Sequence, residues 1–455
     1  MLIVLKNSAL ITGINEAGMK AVKTYLTINN PLFFKKTNLG LSTWNIPQTS
    51  EYFEQVTDET IDIPIGAASE VFDILMKHGN PITKNDIFDE RVTNMQSEYF
   101  SKLKFKGKLR PYQQEIVDSC MPKTIGVIEA MTGSGKTITF VALTLLRKEA
   151  TLILVHTIEL ANQTIASFEK FTNLKAEDIG FIGDGRFEVK PISIGLHQTF
   201  AKMNPSKFEL INELVGQVIA DEVHICPANT YYHTMSHLRA KYKFGFSATP
   251  KREDGLTEVI HFASGPKIHT VEKEKLKNVL ITPNVRYINT TYNFPMISSQ
   301  EYVELINDLS ADDRRNALIL RTHQVDYARK PTVFLCNRKV QVEYLAKYLG
   351  KNAVFLHSKM KKKDRKETMK LLQQGKKTMV VSTYGLFATG IDLPQLEVLF
   401  LCAPIRSEVK LRQAAGRLMR KSPGKTTATI VDFVDTKVEM LRIQGFQRKR
   451  IFKNL

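Results

Sequence analysis

The sequence predicts an α/β protein in which two parallel-sheet lobes follow a small N-terminal α+β domain. From residue 125 onwards, short apolar runs with the length of strands alternate with helical stretches, a pattern typical of parallel sheets. This alternation occurs in two series, so two separate sheets are expected. Residues 1–98 instead combine short β-like runs with one helix-like segment.

The boundaries follow from these patterns. In the N-terminal domain, strand-like runs at 2–5, 25–28 and 61–65 precede a helix-like segment at 68–77. The runs that predict the lobe strands are 125–128, 152–155, 192–195, 218–220 and 244–247, then 333–336, 354–356, 379–382, 398–402 and 428–433. Little strand pattern appears between the series, where charged residues suggest a connector and a helix. The predicted segments are an N-terminal domain (1–98), a first lobe (99–284), a connector (285–325) and a second lobe (326–455).

Composition limits the classes of protein that need considering. The 455 residues exceed one ordinary domain, and 43% hydrophobic residues is typical of a globular protein. No apolar run reaches the roughly 18 residues of a membrane span. The N-terminus is apolar but short and carries Lys6, so a first strand is expected rather than a signal peptide, and the chain is expected in the cytoplasm (of the host, if a phage encodes it).

The cysteines imply neither a disulfide framework nor a structural metal. None of them forms a CxxC pair or shows zinc spacing, so buried or incidental thiols are expected. They are Cys120, Cys226, Cys336 and Cys402.

The net charge of +18 is unevenly distributed. Residues 1–98 contain 8 Lys+Arg and 12 Asp+Glu, a balance of −4, so residues 99–455 carry +22. A strongly basic body favours a polyanionic partner such as nucleic acid, although a generic soluble surface can also be basic.

A glycine-rich loop follows the strand predicted at 125–128 and precedes a helical stretch expected from Ile138. This context is the one a phosphate-binding loop requires, because backbone N–H groups and a helix N-terminus then surround the phosphates. Lys136 is expected to reach the β- and γ-phosphates, and Thr137 is expected to bind Mg²⁺. The first glycine of the general pattern is replaced by alanine here. The loop comprises Ala130, Met131, Thr132, Gly133, Ser134, Gly135, Lys136 and Thr137.

Two carboxylates follow the strand predicted at 218–220. Asp221 is suited to hold Mg²⁺, and Glu222 is suited to polarise an attacking water, which are the parts phosphoryl transfer needs. Alone, such a pair would more often be a solvated strand end. Its position 85 residues after Lys136 makes the catalytic interpretation the stronger one.

Two arginines in the second lobe are candidate arginine fingers. Arg417 and Arg420 are spaced i, i+3 and are therefore expected on one face of a helix. Guanidinium groups there would reach a γ-phosphate bound by the first lobe. Taken alone, the segment would sooner be a solvated basic helix.

Together these segments resemble the superfamily 2 helicases over residues 109–435. The sequence Leu109-Arg-Pro-Tyr-Gln113 resembles the Q motif, and the glycine-rich loop resembles motif I. The sequence Asp221-Glu-Val-His224 resembles motif II in its DExH form. Residues 155–163, 247–249, 333–338, 382–392 and 413–420 resemble motifs Ia, III, IV, V and VI, in the expected order.

The resemblance implies two tandem RecA-like lobes that hydrolyse ATP with Mg²⁺ in a cleft between them. It implies that Gln113 contacts adenine and that Gln413, Arg417 and Arg420 complete the catalytic set. It further implies that one group of residues couples hydrolysis to movement of the lobes, namely His224, Ser247, Thr249, Gly390 and Asp392. Thr383 in motif V is a candidate DNA contact.

Within the superfamily, the resemblance narrows to XPB-like and UvsW-like branch-migration DNA helicases. An Arg252-Glu-Asp254 sequence follows motif III, and Arg252 is a candidate DNA contact, although a solvated turn is the plain alternative. The compact length suits a phage or mobile-element protein. The function expected is an ATP-dependent DNA helicase or translocase that acts on forked or junction DNA in recombination, repair or replication, as a monomer.

Three alternatives remain open: an RNA helicase, a duplex translocase serving as the motor of a larger complex, and a DNA-binding scaffold with a vestigial ATP site. Residues 1–98 are expected to select the substrate, with Lys35 and Lys36 as candidate DNA contacts. Trp44, the single tryptophan, is expected in the core of this domain, with base stacking as the alternative.

Overall fold

The computed structural model describes residues 1–226, 228–248, 252, 254–296, 298–356, 360, 362–390, 393–453 and 455. The chain divides into two compact units, Met1–Met131 with Gly135–Val271 and Glu272–Leu455 with Thr132–Ser134. Both contain predominantly parallel sheets flanked by helices, which confirms the predicted α/β class. Among the described residues, none of the helices combines the length and hydrophobicity that a membrane span requires.

The N-terminal part of the first unit is an α+β structure. Its sheet has the strand order β5-β6-β2-β1-β7, and β3 pairs separately with β4. Residues 25 and 26 were expected in a strand, but they end helix α1, so that part of the prediction is wrong. The elements are β1 (Leu2–Leu5), β2 (Ser8–Thr12), α1 (Glu16–Leu26), β3 (Thr27–Asn29), α2 (Pro31–Asn38), β4 (Thr49–Glu51), β5 (Glu54–Thr57), β6 (Thr60–Pro64), α3 (Ala68–Lys77) and β7 (Ile87–Asp89).

The rest of the first unit is a sheet with the strand order β11-β10-β12-β9-β13-β14-β8-β15, parallel except at β11. The strands around its centre are continuous apolar runs because helices cover both faces. The elements are α4 (Ser97–Ser101), α5 (Pro111–Cys120), β8 (Ile125–Glu129), α6 (Lys136–Arg147), β9 (Thr151–Val155), α7 (Ile158–Phe171), β10 (Gly180–Gly183), β11 (Arg186–Phe187), β12 (Ile192–Leu196), α8 (His197–Phe200), α9 (Pro205–Leu214), β13 (Gln217–Ala220), α10 (Ala228–His237), β14 (Tyr242–Ser247), α11 (Thr257–Ser264) and β15 (Lys267–Thr270).

The N-terminal part packs against helices α10 and α11 of this lobe. Phe262 of α11 is buried in the core of the N-terminal part, where its ring contacts Tyr25 and Tyr52. Tyr52 also packs edge-on against Tyr232 of α10, with ring centroids 5.2 Å apart. Gly66 lies so close to α11 that a β-carbon there would meet backbone oxygens at 2.3 and 2.4 Å. The two parts therefore share a hydrophobic core, although the predicted boundary at residue 98 remains a prediction.

The second unit has a parallel sheet with the order β16-β21-β20-β17-β19-β18. Residues 285–325 were expected to form a connector and a helix. Helices are found there at Tyr302–Ala311 and Asp313–Asp326, but the range begins with an unexpected strand, Asn284–Asn289, which pairs with Thr429–Val434. The elements are β16 (Asn284–Asn289), α12 (Tyr302–Ala311), α13 (Asp313–Asp326), β17 (Thr332–Cys336), α14 (Lys339–Leu349), β18 (Ala353–Leu356), α15 (Lys362–Gln373), β19 (Met379–Thr383), α16 (Tyr384–Gly390), β20 (Val398–Leu401), α17 (Glu408–Leu418), β21 (Thr429–Val434) and α18 (Glu439–Lys453).

A buried ion pair ties helix α13 to the sheet of the second unit. Arg315 Nε lies 2.7 Å from Asp435 Oδ1, and its Nη2 lies 3.1 Å from Asp435 Oδ2, with both residues at most 2% exposed. Arg315 also donates to the backbone oxygen of Cys402, and the Thr290 hydroxyl donates to Asp435 at 2.6 Å. The charges of the carboxylate and the guanidinium compensate each other, so removal of either group leaves the other as a buried charge without its counter-ion.

We expect Asp435→Asn to lower the free energy of unfolding of the second unit by about 3–5 kcal/mol, the cost typical of breaking a buried pair. Urea unfolding followed by circular dichroism measures this change. Asp326→Asn is the matched control, because Asp326 pairs with Arg286 at 2.7 Å on an exposed surface and its loss should cost about 1 kcal/mol or less. Equal effects of the two substitutions would contradict the prediction.

Candidate functional site: the nucleotide-binding strand ends

The phosphate loop connects β8 to α6. The helix begins at Lys136, two residues earlier than the expected start at Ile138. Gly133 has φ +91° and Gly135 has φ +82°, left-handed conformations that glycine adopts without strain. A β-carbon at Gly135 would lie 2.6 Å from Gln113 Nε2, so a side chain there would fill the loop. The backbone thus has the conformation expected for surrounding phosphates at a helix N-terminus.

The two predicted carboxylates lie in a turn at the carboxyl end of β13. The Asp221 N–H donates to Leu154 O at 2.9 Å, and Asp221 Oδ1 accepts from the Glu222 N–H at 2.9 Å. Glu222 has φ +49°, which is strained for a residue with a β-carbon and costs about 1–3 kcal/mol. His156 Nε2 lies 3.0 Å from Glu222 O and holds this backbone turn from the neighbouring strand end.

The turn brings both carboxylates to the lysine of the phosphate loop. Lys136 Nζ lies 2.5 Å from Glu222 Oε1 and 3.8 Å from Asp221 Oδ1. Burial tends to raise the pKa of both carboxyls; at Glu222 the adjacent Lys136 and His224 outweigh it and lower the pKa, whereas at Asp221 burial prevails and the pKa is raised. Glu222 therefore carries the negative charge that compensates Lys136.

His224 links this turn to the carboxyl end of β14. Its Nδ1 lies 2.6 Å from Ser247 Oγ and 3.4 Å from Glu222 Oε2. Burial lowers the pKa of His224 to about 4, so the imidazole is neutral at pH 7. The two predicted coupling residues Thr249 and Asp392 lie outside the described residues, and Gly390 is the last residue of α16.

Arg252 contacts the backbone that follows the Asp221–Glu222 turn. Its Nη1 donates to the backbone oxygens of His224 at 2.9 Å and Cys226 at 2.6 Å, and its Nε donates to Asp254 at 2.8 Å. These bonds give the side chain a structural role in supporting motif II. A DNA contact by Arg252 remains a prediction.

Gln113 lies beside the phosphate loop, as its position in the Q motif predicts. The side chain is buried, its Oε1 accepts from the Arg110 N–H at 2.9 Å, and its Nε2 lies 3.5 Å from Gly135 O. The predicted contact with adenine remains a prediction.

In the second unit, Gln413 and Arg417 are buried on α17. This helix ends at Leu418, so Arg420 lies beyond it in an isolated bridge with Leu280. The expectation that both arginines lie on one helical face is wrong, because the helix ends too early. Thr383 is the last residue of β19.

Sequence reasoning missed a pair of stacked histidines, one of which contacts the Glu222 turn. The rings of His156 and His197 stack with centroids 4.8 Å apart, and burial lowers the pKa of both. His156 directly follows β9, so its position at a carboxyl strand end was the signal that could have identified it. His197 begins α8 and carries no comparable signal.

The residues present fit ATP and Mg²⁺. Thr137 supplies a hydroxyl and Asp221 a carboxylate, the hard oxygen ligands that Mg²⁺ prefers. The left-handed glycines and Lys136 fit the phosphates. Within the described residues, no cluster of three or more His, Cys, Asp or Glu side chains suggests another metal site.

Comparisons with known proteins agree with this geometry. Residues 106–252 match the family described as type III restriction enzyme, res subunit, and residues 314–422 match the helicase conserved C-terminal domain. A putative ATP-dependent RNA helicase of Acanthamoeba polyphaga mimivirus is 28% identical over 413 residues, covering 85% of this chain and 77% of that protein. The DNA 3'-5' translocase XPB2 of Sulfurisphaera tokodaii is 25% identical over 366 residues, covering 71% and 81%.

Among solved structures, Saccharomyces cerevisiae Dbp5 bound to RNA and ADP BeF3 matches with a TM-score of 0.55 at 15% identity, covering 76% of this chain and 88% of that chain. This likeness supports the two-lobed helicase fold alone. The two family matches together cover more than half of the chain and contain the phosphate loop, the DExH turn and helix α17. The chain therefore belongs to the superfamily 2 DExH helicases, of XPB-like type, and is an ATP-hydrolysing enzyme.

Proposed function

We propose that this chain is a DNA helicase or translocase that uses ATP to unwind or branch-migrate forked and junction DNA. The observation that carries the motor function is the assembly of Lys136, at the start of α6, with Asp221 and Glu222, at the carboxyl end of β13. The +22 balance of residues 99–455 and the similarity to a protein named as a DNA translocase support DNA as the substrate.

In the proposed cycle, ATP competes with Glu222 for the lysine. Lys136 would bind the β- and γ-phosphates, and Thr137 and Asp221 would hold Mg²⁺. The ion, when bound, would neutralise charge on the phosphates. Once Lys136 turns to the nucleotide, the Glu222 carboxylate becomes available to orient the attacking water.

The remaining motif residues would then stabilise the γ-phosphate during its transfer and couple its loss to conformational change. Arg417 and Arg420 would stabilise the charge of the transition state. The contacts of His224 with Glu222 and with Ser247 would transmit loss of the γ-phosphate to the end of β14. Alternating grips on the DNA, with Thr383 and Arg252 among the contacts, would convert these changes into translocation.

We further propose that the N-terminal part, with Lys35 and Lys36, selects branched substrates. Residues 1–50 hold 5 lysines and 1 acidic residue, whereas residues 51–98 hold 3 basic and 11 acidic residues. Deleting this part would expose Phe262, which is buried in the shared core, so a truncated motor is a poor test. Charge reversal at Lys35 and Lys36 leaves the core untouched and should reduce junction binding more than DNA-independent hydrolysis.

The decisive experiment measures ATPase stimulation and unwinding with single strands, linear duplexes, forks, four-way junctions and RNA duplexes of the same sequence. We expect forks and junctions to stimulate hydrolysis most. Stronger stimulation by RNA would instead favour an RNA helicase, the activity for which the similar mimivirus protein is named. Stimulation by linear duplex without strand separation would favour a duplex translocase, and no stimulation by any nucleic acid would favour a scaffold.

Affinity for DNA is expected to fall steeply with salt. Each phosphate neutralised by a lysine or arginine releases counterions, so log K should decrease with log salt by about 0.7–0.9 per contact. Fluorescence anisotropy of a labelled fork between roughly 50 and 200 mM salt measures this slope, for which several contacts predict a loss of about a hundredfold or more. A flat response would mean that the basic surface does not contact DNA.

A further inference from the structure

The segment of residues 30–48, between β3 and β4, projects from the N-terminal part. All of its residues are described, and none of them is buried. The segment is closed at its base by the β3–β4 pair and by Asn30, whose N–H donates to Gln48 O at 2.9 Å and whose side-chain amide donates to Pro47 O at 3.0 Å. It is therefore a formed loop with helix α2 at its start.

This projecting segment exposes an unusual share of apolar surface. Trp44 is 83% exposed, which corrects the expectation that it lies in a core. Leu32, Leu39 and Leu41 are each more than half exposed, and Phe34 is also exposed beside Phe33. Large apolar side chains concentrated on a surface mark an interaction site.

The charged residues of the projecting segment itself are all positive. Residues 30–48 contain Lys35 and Lys36 and no aspartate or glutamate. Aromatic rings interleaved with lysines suit single-stranded nucleic acid, because bases stack on the rings while ammonium groups neutralise the phosphates. An acidic or purely apolar partner would account for only one of these two features.

The base of the projecting segment is anchored at the motor. A β-carbon on Gly255, in the turn after motif III, would lie 3.4 Å from Pro31 Cγ. Tyr52, directly after β4, donates its hydroxyl to Asn229 of α10 at 3.2 Å, and α10 follows motif II. The segment is thus held beside the elements that follow both ATP-site motifs.

We propose that the projecting segment binds single-stranded nucleic acid by stacking an unpaired base on Trp44 while Lys35 and Lys36 bind the adjacent phosphates. This rests on the proposed nucleic-acid motor function and adds to it a specific contact for the unpaired strand. A fork or junction offers such bases, whereas a blunt linear duplex does not, so the contact would contribute to selection of branched substrates.

The test uses the fluorescence of Trp44, which is the only tryptophan in the 455 residues. The full chain is titrated with a 15-nucleotide oligothymidylate, and a fluorescein-labelled copy measures binding independently by anisotropy. We expect the tryptophan emission to be quenched at the same concentrations at which the anisotropy rises. A blunt duplex should quench it much less.

Variants separate stacking from general charge. Stacking on one aromatic ring predicts that Trp44→Ala weakens oligothymidylate binding roughly 5- to 100-fold, with Trp44→Phe intermediate. Lys35→Glu with Lys36→Glu should also weaken binding. The matched control is Lys77→Glu with Lys84→Glu, which makes the same charge change at exposed residues of the acidic half and should have a smaller effect.

The outcomes distinguish this proposal from the motor function. Anisotropy that rises with unchanged tryptophan emission, or unchanged affinity of a folded Trp44→Ala variant, would overturn the stacking contact and leave the helicase function standing. Emission that responds to anionic lipid vesicles and not to oligothymidylate would overturn it in favour of a membrane surface. Absence of both DNA binding and nucleic-acid-stimulated hydrolysis would overturn the proposed function itself.

Discussion

Lys136→Ala is expected to reduce ATP turnover by roughly a thousandfold or more, because the lysine is proposed to bind the β- and γ-phosphates during phosphoryl transfer. DNA binding should persist, since its contacts are expected on other surfaces. Steady-state ATPase at saturating fork DNA, together with anisotropy of the same fork, measures both quantities. Lys175→Ala, at a lysine that is 76% exposed, is the matched control and should leave turnover unchanged.

The fold of this variant needs an independent check. Lys136 compensates Glu222 at 2.5 Å, so its removal leaves a buried carboxylate without its partner. Circular dichroism and thermal unfolding separate a loss of chemistry from a loss of structure. Near-normal hydrolysis by a folded Lys136→Ala protein would refute the assignment of the phosphate loop.

Much of the fold was predictable because buried parallel strands are continuous apolar runs. Strand β9 is predicted at 152–155 and found at Thr151–Val155, with every residue buried. The strands β15 and β16 were missed because they lie at sheet edges, where one side is exposed and polar residues interrupt the run.

The candidate site was predictable where one short motif carries the chemistry, and unpredictable where three-dimensional packing decides. The positions of Lys136 and Glu222 follow from their motifs. The support of Glu222 by His156 depends on two strands being neighbours in the sheet. Trp44 shows the opposite error, since a large apolar residue is usually buried, yet none of the residues 30–48 of this loop is buried.

Docking of the N-terminal part was beyond sequence reasoning for the same reason. The charge pattern of residues 1–98 is matched by the ion pair of Asp89 with Lys241 at 3.0 Å, and it carries no signal for the shared apolar core around Phe262. Gly66 permits this close approach, because a β-carbon there would lie 2.3 and 2.4 Å from backbone oxygens of helix α11.

Glu222→Gln is expected to trap ATP. Glutamine keeps the shape of glutamate but cannot accept a proton from water, so hydrolysis should fall by roughly a hundredfold to a thousandfold in single-turnover experiments. ATP affinity should stay the same or increase, because Lys136 loses the carboxylate that competes with the phosphates for it. Binding of a fluorescent ATP analogue measures affinity, and quenched-flow measures the single turnover.

The control for this last prediction is the same substitution at another strand end. Glu129 is the last residue of β8, and its carboxylate lies 3.2 Å from Lys267 Nζ. Because its partner is Lys267 and not Lys136, Glu129→Gln should change neither the affinity for ATP nor the rate of hydrolysis substantially. Asp221→Asn provides the contrast, because loss of a Mg²⁺ ligand should weaken nucleotide binding as well as turnover. If Glu222→Gln instead lowered affinity and rate equally, Glu222 would be a structural residue of its strained left-handed turn, and the water-orienting role would pass to another group.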